Sequence, residues 1–139
     1  MNVKNGLITF DKNENVQLNQ YFNSNEFQCQ CSNLECKEQT IAEQLLKDLV
    51  DLREAFGAPV TITSGFRCHK HQIELAAGGA ETAVGTSQHE LGNAADIKAV
   101  DMTKLFNEAA KIFLAIGTSK RFLHVDLRSD KIRRWPYKN

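Results

Sequence analysis

The chain has 139 residues, 42% of them hydrophobic, which is enough for one domain with a real core. Lysine plus arginine and aspartate plus glutamate each number 17, so the formal net charge is zero. No long basic run recommends a nucleic acid as partner. The polar start, Met1 to Gly6, leads into no apolar run, so the sequence predicts neither a secretory signal nor a membrane span. A chain made in the cytoplasm would then reach a target outside it after release by lysis, or as part of a virion.

The whole of 1–139 reads as a single domain without repeats or low-complexity linkers. Residues 1–25 are asparagine- and lysine-rich and read as an N-terminal extension, with a short strand at Leu7 to Phe10. Residues 26–37 read as a loop that carries Cys29, Cys31 and Cys36. A helix follows: Thr40 and Glu43 have the spacing of a capping box. Leu45, Leu49, Leu52 and Phe56 share one helical face, and Gly57 ends the run. Val60 to Thr63 is β-branched and predicts a strand that delivers Ser64-Gly65-Phe66-Arg67 at its end. Residues 69–77 suggest a short helix, and Gly78 to Thr86 a loop. Gly92 to Ile97 reads as a turn entering a strand. A further helix is expected from Asp101 to Ile116, with Phe106, Ala109, Ala110 and Phe113 inward and Gly117 as its stop. Phe122 to Leu127 predicts a strand, and the basic aromatic tail from Lys131 a C-terminal strand and surface cap. The mixed order of elements favours an α+β domain, with helices packed on a small antiparallel sheet.

His89, Asp96 and His124 offer two imidazoles and a carboxylate, the donor set of a catalytic zinc site that keeps one position open. Taken singly, each is an ordinary structural residue; together they carry the chemistry. Side chains alternate along a strand, so His124 and Asp126 point the same way. Asp126 then serves either as the base for an attacking water or as the partner that fixes the tautomer of a ligand histidine. Arg67, at a strand end, suits a substrate carboxylate or a developing oxyanion. The clustered Cys29, Cys31 and Cys36, with Cys68, have three readings: a second, structural zinc site of four thiolates, one of which His69 or His71 could replace, a disulfide formed after release, or free thiols.

Three segments in order carry a family resemblance. They are Ser64-Gly65-Phe66-Arg67, then Ser87-Gln88-His89 followed by six residues and Asp96, then His124-Val125-Asp126. They resemble the zinc D-alanyl-D-alanine carboxypeptidases, metallopeptidases that include phage endolysins and share a fold with the hedgehog signalling domain. The resemblance implies His89, Asp96 and His124 as zinc ligands and Arg67 as a substrate-binding or transition-state residue. It also implies hydrolysis of peptidoglycan stem or cross-link peptides, often at bonds involving D-amino acids. Separately, a monomer is expected. One departure stands out. Several members carry an acidic base three residues before the last histidine, and Arg121 stands there in this chain, which moves the base role to Asp126 or to another residue not marked by the motifs. The competing expectation is a non-catalytic wall-binding or virion module that keeps zinc for stability.

Overall fold

A computed structural model describes residues 1–81 and 87–138. The expected loop at Gly78 to Thr86 therefore falls largely outside the described residues. Strands β1 (Asn2–Lys4), β2 (Leu7–Asp11) and β3 (Glu38–Ala42) form a three-stranded antiparallel sheet. The remaining strands are β4 (Thr61–Ser64), β5 (Ala94–Lys98), β6 (Ala115–Thr118), β7 (Leu123–Asp126) and β8 (Arg133–Pro136). They lie in the order β4-β5-β7-β6-β8, antiparallel except for the parallel β6–β8 pair. Helices α1 (Glu43–Phe56), α2 (His69–Ala77) and α3 (Met102–Ala109) complete an α+β fold. The sheet is larger and more mixed than the sequence suggested, because β8 joins its edge in the parallel sense.

Helix α1 packs against α3 and β3 and buries the expected face, Leu45, Leu49, Leu52 and Phe56, in the core cluster that also holds Leu105 and Ala109 of α3 and Ile97, Leu123 and Val125 of the large sheet. Gly57 ends α1 in the left-handed region at φ 77°, where a residue without Cβ pays no steric cost. The capping box at Thr40 and Glu43 does not form. Thr40 lies inside β3 opposite Thr9, and α1 starts at Glu43. Strand pairing claims Thr40, and the Glu43 N–H donates instead to the Gly6 carbonyl at 2.9 Å. A tertiary acceptor thus serves a helix end that a side chain normally serves.

Residues 1–25 contribute Ile8, Phe10 and Phe22 to the main core. One further expectation is corrected. The helix expected from Asp101 to Ile116 stops at Ala109, and Ala115 to Thr118 form β6. Asp101 does cap α3, accepting from the Lys104 N–H at 3.0 Å. Beyond Ala109 the backbone gains more from two strand neighbours, β7 and β8, than from another helical turn, and Ile116 becomes a fully buried sheet residue.

Candidate metal centre

The central strands alternate. Ile97, Leu123 and Val125 face the core, while Asp96, His124 and Asp126 face the other way and are buried there as polar groups. Register then sets a single row across the sheet. Ser64 pairs with Asp96, Asp96 with His124, His124 with Gly117, and Gly117 with Trp135. His89 enters from the turn before β5. Its Nδ1 donates to the Gly65 carbonyl at 2.8 Å, and its own carbonyl accepts from the Arg67 N–H at 3.2 Å.

The bond to Gly65 fixes the His89 tautomer. A carbonyl only accepts, so His89 Nδ1 carries the proton and Nε2 is left facing Asp96 Oδ1 at 3.3 Å. His124 is turned the other way. Its Nε2 lies 2.7 Å from Asp126 Oδ2 and its Nδ1 3.1 Å from the same Asp96 oxygen, so a carboxylate faces each ring nitrogen and Nδ1 is the one turned toward His89 and Asp96. Zinc bonds of about 2.05 Å in a tetrahedron place donor atoms about 3.3 Å apart. The three donor atoms lie within 4.8 Å of one another, with two of the separations close to that edge length. Two oriented imidazole nitrogens and a carboxylate oxygen therefore fit a zinc ion.

The electrostatics agree. Burial by itself would raise the Asp96 carboxyl, yet the flanking His89 and His124 hold it well below the usual carboxylate range. Burial lowers His89. Burial opposes the charged form of His124 too, but its hydrogen bonds to Asp126 and Asp96 raise it. Burial works against ionised Asp126 as well. The bonds from His124 and Arg128 prevail and lower it to about 2.

Arg67 is tied down by three bonds: Nε to Ser64 Oγ at 3.0 Å, Nη1 to Gln72 Oε1 at 3.3 Å, and Nη2 to Asp96 Oδ2 at 2.8 Å. It thus clamps the oxygen of Asp96 that does not face the histidines. Of the five guanidinium N–H donors, these bonds leave two. The site opens into a pocket of about 460 Å³, lined among others by Arg67, Glu81, His89, Asp96, His124 and Tyr137. Arg121 is exposed and is not part of that lining.

A profile of the peptidase M15 family matches residues 20–126. The chain belongs to this family. Its members are zinc-dependent, and the three motifs above lie inside the matched span. Membership makes the chain a metallopeptidase, and the α+β architecture agrees with it. No curated protein and no solved structure matched the chain significantly.

Four pocket residues escaped the sequence reading in their roles. Arg128, outside the matched span, grips Asp126 with Nε to Oδ1 at 3.0 Å and Nη2 to Oδ2 at 2.9 Å. Its guanidinium also lies 5.4 Å from the Trp135 ring centroid. The period-two series His124, Asp126, Arg128 was the available signal. Trp135 and Tyr137 wall the M15 site, with the Trp135 ring 5.3 Å from that of His124. Burial, with Asp96 adding, pushes the Tyr137 phenol up to about 12, so it stays a hydrogen-bond donor at neutral pH. Glu81 also lines the pocket, and its Oε1 accepts from the Lys138 N–H at 2.9 Å. Glu81 had no signal, since it falls in none of the three motifs.

Proposed function

We propose that the protein is a zinc peptidase that hydrolyses peptide bonds in peptidoglycan stem or cross-link peptides, as a phage lysin or a wall-remodelling enzyme. The observation that carries this reading is the convergence of His89 Nε2, Asp96 Oδ1 and His124 Nδ1, each with its other polar atom already engaged. These three residues would hold the metal. When bound, zinc supplies Lewis acidity toward a carbonyl and makes water nucleophilic near neutral pH.

The chain's own groups do the rest. Arg67 holds Asp96 in place and keeps two N–H donors for a substrate carboxylate or a developing oxyanion. Tyr137, also in the pocket lining, offers a second donor. Arg128 adds positive charge to the pocket, which suits a peptide rich in carboxylates. The proton acceptor is a carboxylate that reaches the pocket and is free of a buried ion pair. Asp126 is fully enclosed and gripped by Arg128, so it serves as the partner that orients His124. Glu81 lines the pocket and takes the role expected of Asp126.

The test is digestion of purified peptidoglycan by zinc-loaded protein, with released amines counted and zinc measured in parallel. Wild type should cleave and carry zinc. Glu81→Gln should keep zinc and lose about 10²- to 10⁴-fold in turnover. Zinc-loaded wild type that leaves all wall peptides intact would point to the non-catalytic module instead.

A further inference from the structure

The four cysteines come together at Cys68, next to Arg67 in the chain. Residues 27–37 form no helix or strand, yet Cys29, Cys31 and Cys36 in this stretch are buried. Cys68 meets them from the start of α2, and all four sulfurs lie within 4.8 Å of one another. None is in a disulfide. Cys68 Sγ stands 3.8 Å from both Cys29 Sγ and Cys31 Sγ. A disulfide would need about 2.05 Å. Zinc–sulfur bonds of about 2.3 Å in a tetrahedron place sulfurs about 3.8 Å apart.

Each sulfur also accepts a hydrogen bond from nitrogen. The Cys68 N–H donates to Cys29 Sγ at 3.4 Å, and the His71 N–H to Cys68 Sγ at 3.4 Å. Gln39 Nε2 donates to Cys36 Sγ at 3.5 Å, and Lys12 Nζ to Cys31 Sγ at 3.5 Å. Four donors aimed at four sulfurs suit thiolates, and the Lys12 ammonium offsets part of the excess negative charge that four thiolates leave around a divalent ion. Neither His69 nor His71 belongs to the cluster. His69 Nδ1 pairs with Glu90 at 3.3 Å instead.

We propose that Cys29, Cys31, Cys36 and Cys68 bind a structural zinc ion that pins the irregular 27–37 loop to the start of α2. Cys68 adjoins Arg67 in the chain, so this metal fixes the backbone from which Arg67 reaches Asp96. Binding exchanges thiol protons for the metal and involves no redox step. The site needs none of the proposed hydrolytic ligands, and the two readings fail separately.

The experiment is elemental analysis and cobalt substitution of full-length wild type, of Cys31→Ser/Cys36→Ser and of His89→Ala, all purified under reducing, metal-replete conditions. Two zinc ions per chain are expected in wild type and one in each variant. Cobalt-loaded His89→Ala should keep intense thiolate-to-cobalt charge-transfer absorption in the near ultraviolet, which a site of two histidines and a carboxylate does not give. Should the cysteine variant fail to fold, this spectrum of His89→Ala decides alone. Its absence would overturn the proposal. So would thiols in native protein that alkylate at the same rate with and without chelator, or a mass showing a disulfide. Loss of only the histidine-dependent zinc would leave this proposal standing.

Discussion

Asp126 sits two residues beyond His124, near enough for either a proton-transfer or an orienting role. Alternation along a strand made the shared direction legible in the sequence, but not the role, because the deciding partner is Arg128. With both oxygens held and the carboxyl lowered to about 2, Asp126 is a fixed partner for His124 Nε2. Asp126→Asn should therefore weaken zinc binding by about 10- to 100-fold. A competition titration against a chromophoric chelator measures this; unchanged affinity would remove the orienting role. His89 is legible in another way. The Ser-x-His motif announces it, while the Gly65 carbonyl that selects its free nitrogen lies 24 positions away in sequence.

At the scale of elements, β6 departs furthest from the sequence expectation. Gly117 looked like a helix stop and is instead a strand residue beside His124. A Cβ there would meet Trp135 Cε2 at 2.6 Å and Tyr137 Cε2 at 2.7 Å, so the glycine makes room for the aromatic wall. Gly117→Val should push both rings away, at a cost of about 1–3 kcal/mol in stability. The chain's one tryptophan is Trp135, so its emission should shift to the red in the variant. An unchanged spectrum and denaturation midpoint would refute the close packing. Helix α1, in contrast, was legible almost to the residue, because its apolar period is carried by neighbours in sequence. Its start was not, since the acceptor for the Glu43 N–H is the Gly6 carbonyl.

For the whole molecule, buried carboxylates make acid the destabilising direction. Asp126 titrates near 2 in the fold against an ordinary value of 3.8. Its ionised form thus stabilises the fold fully above the ordinary value, and the contribution is lost as pH falls through the folded one. In metal-free protein, the acid limb of a denaturation series should be shallower for Asp126→Asn than for wild type. Parallel limbs would contradict that linkage. The sequence by itself determined the family motifs, the donor types and the amphipathic helix, because each is written in local spacing and side-chain chemistry. Only the tertiary structure decided the row from Ser64 to Trp135, the nitrogen each histidine presents and the meeting of Cys68 with the 27–37 loop. Those depend on strand order and on contacts between residues far apart in the chain, and no local pattern encodes a sheet's order or its register.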